Sequence, residues 1–187
     1  MATDLVQAAL QVFDGMEFSD RSACPSCGGA VQGYDTRKKR FAVILEESNE
    51  RIISVSVKRF ICKSCKKLCY ADEPFYPDTR IGSPVIDLYL SFCTTMPASR
   101  AARMIGTMGI SVDRTTWRNY HKENFPDISA ADFFGMSLPF SILSISSLAA
   151  LASEGSGIKG AELLAACGFP SAYRVALHLP VTGEKRE

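Results

Sequence analysis

Two cysteine pairs, Cys24-Pro-Ser-Cys27 and Cys62-Lys-Ser-Cys65, carry the strongest chemical signal in this 187-residue chain. Each has two residues between its thiols, and 34 residues separate Cys27 from Cys62. A C-x-x-C turn aims both thiolates at one point, and two such turns complete the tetrahedral four-sulfur shell that Zn²⁺ prefers. Pro25 stiffens the first turn, and Gly28 and Gly29 let the chain leave it sharply. Cys24, Cys27, Cys62 and Cys65 are therefore expected to hold one structural zinc. Disulfides or buried free thiols are the competing reading; they fit less well because the N-terminus shows no secretory pattern.

A site closed by four thiolates has no position for water, so its metal holds structure and performs no chemistry. Three of the seven cysteines remain. Cys69 lies four residues past Cys65, within reach of the metal, and reads either as a substitute ligand or as a small buried residue. Cys93 and Cys167 lie in apolar helical stretches and read as core.

The elements that must position the thiols follow from the pattern around them. Phe41-Ala-Val-Ile-Leu45 and Arg51-Ile-Ile-Ser-Val-Ser-Val57 are β-rich runs joined by the polar turn Glu46-Glu-Ser-Asn-Glu50. Gly33 to Arg40 leads into the first run. The result is a zinc ribbon over 21–71 with a long basic hairpin, too small to bury much core alone, so the metal is expected to supply much of its stability. Ahead of it, within 1–20, Leu5, Val6, Ala9, Leu10 and Phe13 recur at helical spacing, with Thr3 or Asp4 as cap.

Charge is unevenly placed. The formal net charge is +1, yet Arg37 to Lys67 holds ten basic residues against three acidic ones. Arg37, Lys38, Lys39, Arg40, Lys58, Arg59, Lys63, Lys66 and Lys67 form a block suited to a polyanion, most simply nucleic acid. A solvated charged strand face is the alternative. The hydrophobic share, 47%, is that of a globular chain. The most apolar stretch, Phe133 to Ala152, is broken by Gly135, Pro139 and several serines, so no membrane span is expected.

Residues 72–82 hold two prolines and read as a linker. Ser83-Pro84 then opens a helix, with Ser83 as cap and Pro84 in the first turn. Ser99 to Met108 reads as a short helix with Ala102 and Ile105 inward, Gly109-Ile110-Ser111 as a turn, and Asp113 to Lys122 as a second helix capped by Asp113. This makes a helix-turn-helix within 83–124. Ile110 and Trp117 would pin its second helix, leaving Arg114, Thr115, Arg118, Asn119 and Lys122 outward to reach base edges and phosphates. An ordinary helical hairpin with a polar face is the bland alternative.

The tail, 125–187, reads as helical. Ser141 to Ala152 is an apolar helix, and Gly160 to Gly168 with Pro170 to Leu177 forms another helix, turn and helix. It reads as a dimerisation or packing module, or as a second helix-turn-helix exposing Ser171, Tyr173 and Arg174.

The order of ribbon, linker and helix-turn-helix resembles the N-terminal DNA-binding part of insertion-sequence transposases and their prokaryotic and archaeal relatives. The residues that carry the resemblance are Cys24-Pro-Ser-Cys27-Gly28, Val57-Lys-Arg-Phe-Ile-Cys62-Lys-Ser-Cys65, Ser83-Pro-Val-Ile, Ser99-Arg-Ala-Ala-Arg-Met-Ile and Ser111-Val-Asp-Arg-Thr-Thr-Trp117. They cover roughly residues 23–122. The resemblance implies recognition of the terminal repeats of a mobile element, with a downstream nuclease domain to cut DNA. Only 65 residues follow Lys122. The acids there, Asp127, Asp132, Glu154 and Glu162, lie in no strand-like context, so a two-metal nuclease site is not expected.

The expectation is therefore an α+β chain: a small β zinc ribbon, an all-α helix-turn-helix module and a helical C-terminal tail. Its function would be zinc-stabilised, sequence-preferring binding of double-stranded DNA, with no enzymatic activity and no small-molecule substrate. It would be a transposase-derived protein or transcription regulator, cytoplasmic and nucleoid-associated, with a homodimer in keeping with a single helix-turn-helix. The alternative is a zinc-ribbon adaptor for protein or RNA.

Overall fold

The computed structural model describes residues 2–47, 49–152 and 157–168. It is a mixed α+β architecture built on one long hairpin. Helix α1 (Ala2–Gln11) leads to a two-residue strand, β1 (Glu17–Phe18). Strands β2 (Val31–Glu46) and β3 (Asn49–Cys62) form the hairpin, and β4 (Leu68–Tyr70) closes the sheet. The hairpin pairs Val31 with Cys62 at one end and Glu46 with Asn49 at the other. β1 pairs parallel to β3, and β4 antiparallel to it. β2 is therefore an outer strand, and its basic residues lie along an open edge.

Alternation along β3 sets the buried face. Ile53, Val55 and Val57 are buried, whereas Ser54 and Ser56 are half-buried. Against this face pack α1 (Val6, Leu10), Phe13, and Phe41 and Ile44 of β2. The apolar half of the hairpin belongs to one cluster that also takes in the helices. Residues 72–82 carry no regular element, as expected of a linker, yet Phe75 and Tyr76 are buried in that core. Gly82 lies so close to Phe41 that an added Cβ would sit 2.2 Å from the ring, while the Gly82 N–H donates to the Phe41 carbonyl (2.8 Å).

Helix α2 (Ser83–Cys93) is buried along most of its length. Its N-cap is Gly82; Ser83 lies inside the first turn, and its buried hydroxyl finds no partner among the described residues. The expected Ser83 cap is thus displaced by one residue, because the close approach to Phe41 puts the glycine at the boundary. Helices α3 (Ala98–Thr107) and α4 (Arg114–Tyr120) follow. Ala101 and Ile105 are the buried residues of α3, and Ala102 is only half-buried. Asp113 caps α4, its Oδ1 accepting the Thr116 N–H at 2.8 Å.

The tail is not wholly helical. Strands β5 (Ala130–Phe133) and β6 (Met136–Pro139) form a two-stranded hairpin before α5 (Phe140–Ala152) and α6 (Gly160–Ala166). Its turn residues, Phe134 and Gly135, both have positive φ, 52° and 79°, the conformation that matches strand twist. Phe-Gly is not the usual Asn-Gly signature, and Asp132 supplies the missing stabilisation by accepting the Gly135 N–H (3.2 Å). Asp132 therefore lies in a strand, against expectation. The helix expected over Pro170–Leu177, with Ser171, Tyr173 and Arg174, lies outside the described residues. No described helix is long and apolar enough to cross a membrane.

Candidate metal centre and basic surface

The two knuckles are built alike. In the first, the Cys24 carbonyl accepts the Gly28 N–H (2.8 Å), and the Cys24 N–H donates to the Gly29 carbonyl (2.9 Å). In the second, the Cys62 carbonyl accepts the Lys66 N–H (3.1 Å), and the Cys62 N–H donates to the Lys67 carbonyl (2.9 Å). Position four after the first cysteine has positive φ in both, 71° at Gly28 and 62° at Lys66. An added Cβ on Gly29 would lie 2.6 Å from the Ser64 hydroxyl, so this glycine lets the knuckles meet.

The sulfur atoms of Cys24, Cys27, Cys62 and Cys65 all lie within 4.8 Å of one another. Cys24 Sγ is 3.6 Å from Cys65 Sγ, and Cys27 Sγ is 3.5 Å from Cys62 Sγ. A tetrahedron with metal–sulfur bonds of ~2.3 Å has sulfur–sulfur edges of about 3.8 Å. The four thiols therefore fit one tetrahedral ion. Their local electrostatics favour ionisation unevenly. Backbone amides, that of Cys65 foremost, draw Cys62 down to about 6, and the Ser26 amide lowers Cys24. Cys65 receives an amide hydrogen bond from Lys67, but burial and its neighbouring thiols push it up to about 11. A bound cation removes that conflict by stabilising all four thiolates together. Cys69 is buried opposite Phe60 in the sheet and is not one of the four clustered thiols; burial raises its pKa.

The basic residues divide into paired and unpaired sets. Lys39 donates to Glu73 Oε2 at 2.6 Å, and its ammonium sits 4.6 Å and 4.8 Å from the Tyr70 and Phe75 ring centroids. Arg59 grips both oxygens of Asp35 and lies over the Tyr34 ring. Lys58 is half-buried over Phe60. In contrast, Arg37, Lys38, Arg40, Lys63, Lys66 and Lys67 are exposed and make no ion pair among the described residues.

Trp117 of α4 stacks on Tyr89 of α2 with centroids 4.3 Å apart, and the Tyr120 hydroxyl accepts the Arg80 N–H at 3.0 Å. These contacts fix which side of α4 faces outward. Arg114, Thr115 and Arg118 are exposed. Asn119 and Lys122 are also exposed but line a cleft of about 790 Å³ between α4, residues 77–81 and the hairpin at Arg40–Val43. That cleft carries mixed charge, with Arg40, Arg80 and Lys122 beside Glu50, Asp78, Asp113 and Glu123. Two further exposed cations, Arg100 and Arg103, lie on α3 and were not among the expected contacts. Their three-residue spacing, on the side of α3 away from the buried Ala101 and Ile105, is the signal that marks them.

No family model matches the chain, and no curated protein or solved structure shows significant similarity to it.

Proposed function

We propose that this chain is a zinc-stabilised, sequence-preferring binder of double-stranded DNA, without catalytic activity of its own. Zinc on Cys24, Cys27, Cys62 and Cys65 would lock the two knuckles and present Lys63, Lys66 and Lys67 beside them. The observation that carries the DNA reading is the charge on α3 and α4. Arg100, Arg103, Arg114, Arg118 and Lys122 are all exposed, and Asp113, engaged as a helix cap, is the only acid between Pro97 and Lys122. Four unpaired cations on two short helices, with Lys122 just past the end of α4, would offer a phosphate-binding surface, and Arg118 and Thr115 have side chains able to read base edges. The order of ribbon and helices resembles transposase DNA-binding regions, which supports a transposase-derived protein or a regulator built from the same modules.

The test is zinc content together with binding to random duplex DNA across a salt series. One zinc per chain and an affinity that falls steeply with salt support the reading. One zinc per chain with no affinity for DNA overturns it. Arg118→Ala should then weaken binding to a preferred site, found by selection, more than binding to random duplex; equal losses remove its base-reading role. A protein or RNA adaptor is the second reading, favoured by Phe134, 78% exposed at the β5–β6 turn. It predicts a metal-loaded protein that ignores duplex DNA.

A further inference from the structure

The metal knuckles and α4 lie at different ends of one rigid element. The thiol cluster closes the hairpin where Val31 pairs with Cys62. Helix α4 lies beside Arg40–Val43, because these residues and Asn119 and Lys122 line the same cleft. Further along, Ile44 bridges to Ile110, the Ser111 N–H donates to the Val43 carbonyl (2.9 Å), and the Leu45 N–H to the Gly109 carbonyl (2.7 Å). Nine to twelve residues of β2 separate Val31 from this region. At about 3.3 Å per residue, that is a span of ~30–40 Å.

Unpaired cations mark both ends and the stretch between them. Lys63, Lys66 and Lys67 sit at the metal end, and Arg114 and Arg118 at the helical end. Between them, Lys38 and Arg40 share one face of the outer strand, opposite the face that carries Lys39. Three acids on or beside the hairpin are engaged, Asp35 by Arg59, Glu73 by Lys39 and Glu46 by Arg51, while Glu47 and Glu50 are exposed at its far turn.

We propose that a single chain grips duplex DNA at two points about one helical turn apart, the zinc knuckles holding phosphates while α4 occupies the groove. A duplex presents the same face again every ~34–36 Å. A rod lying along one side of the duplex meets an equivalent groove position again at that interval, and the hairpin span matches it. This inference rests on the DNA-binding reading above and adds the length and arrangement of the DNA it takes. The knuckle lysines then supply affinity without sequence preference, and α4 supplies preference.

The experiment measures affinity of the zinc-loaded protein for duplexes of increasing length that share one selected site, from about 10 to about 24 base pairs. The wild-type protein should gain at least tenfold in affinity as the duplex grows past about one and a half turns. The variant Lys63→Gln, Lys66→Asn, Lys67→Gln should lose most of the gain with length while keeping its preference for the selected site over a scrambled one; asparagine suits the positive φ at Lys66. Zinc content of the variant confirms that the knuckles still form. Affinity that rises only in proportion to the number of added registers overturns the proposal and leaves DNA binding intact. So does a variant weakened equally on short and long duplexes. Failure to bind duplexes of every length overturns the DNA reading itself.

Discussion

Ile110, in the turn between α3 and α4, pairs with Ile44 on the outer strand of the hairpin. Both are buried, at 2% and 0% exposure. The helical module is therefore seated on the ribbon hairpin by a backbone bridge as well as by side-chain packing. Truncating Ile110 to alanine removes three buried carbons where the chain around it is held by the bridge and can collapse little. A loss of about 2–4 kcal/mol is expected. Urea unfolding should show it as a lower midpoint with unchanged slope. An unchanged midpoint would mean that the turn is not seated on the hairpin.

Removing the metal should be a local event. The thiol cluster lies at one end of the hairpin, whereas Phe41, Ile44, Ile53, Val55 and Val57 join a core shared with the helices. Cys62→Ser should abolish tight metal binding and loosen the knuckles. It should leave the near-UV circular dichroism of the stacked Tyr89–Trp117 pair in place. Loss of that signal on metal removal would show that the knuckles hold the whole fold, as expected of a ribbon too small to have a core.

Two glycines make opposite predictions. Gly82→Ala drives a methyl group into the Phe41 ring, at 2.2–2.6 Å from three of its carbons, in a segment tied to Phe41 by a backbone hydrogen bond. A loss of at least about 1–3 kcal/mol is expected. Gly106→Ala places a methyl group in open space on helix α3 and should stabilise by about 0.5–1 kcal/mol through helix propensity. Thermal melts of both variants test the pair; a neutral Gly82→Ala would show that the contact yields easily.

Much of this architecture was legible in the sequence, and the reasons differ by element. The thiol cluster was readable because ligand spacing is a local constraint. The alternation of β3 was readable because one of its faces is buried, and Asp113 because a cap acts over three residues. The β5–β6 hairpin was hidden because its turn uses Phe134, whose positive φ has no signature in a single residue. The burial of Phe75 and Tyr76 was hidden because proline-rich segments look like linkers whether or not something packs on them. The pairing within the charge block was hidden for a related reason. Lys39 and Arg59 are taken by Glu73, 34 positions away, and by Asp35, 24 positions away, and composition cannot report such pairs.

Asp87 should reverse the usual effect of acid. It is buried in α2, its oxygens accepting the Tyr76 hydroxyl (2.5 Å) and the Ser141 hydroxyl (2.7 Å). Burial pushes its pKa up to about 6, against the two hydrogen bonds that favour the anion. Its folded pKa thus lies above the unfolded value, so the native state holds the extra proton between about pH 4 and 6. Stability from this group falls as pH rises through that window and is level above it. The change amounts to about 3 kcal/mol for a shift of about two units. Asp87→Asn should lack this dependence, so its stability relative to the wild type in urea unfolding should rise from about pH 4 to 6 and then level off. A constant difference would show that Asp87 titrates normally.

Lys38 and Lys39 adjoin in sequence but should behave as unrelated residues. Lys38 is exposed and unpaired, on the strand face carrying Arg40. Lys39 donates to Glu73, whose side chain is 5% exposed and whose pKa burial raises even with the lysine present. Lys38→Ala should leave the urea midpoint unchanged and reduce the salt slope of DNA binding by about one. Lys39→Ala leaves a buried carboxylate with its cation gone, a change that typically costs about 3–5 kcal/mol. The salt slope of whatever remains folded should not move. Lys39→Ala with Glu73→Gln separates the two effects further: it removes the stranded charge and should recover much of the stability. If the slope fell with Lys39→Ala while stability held, Lys39 would be reaching phosphate in the complex, and its pairing with Glu73 would be broken by DNA.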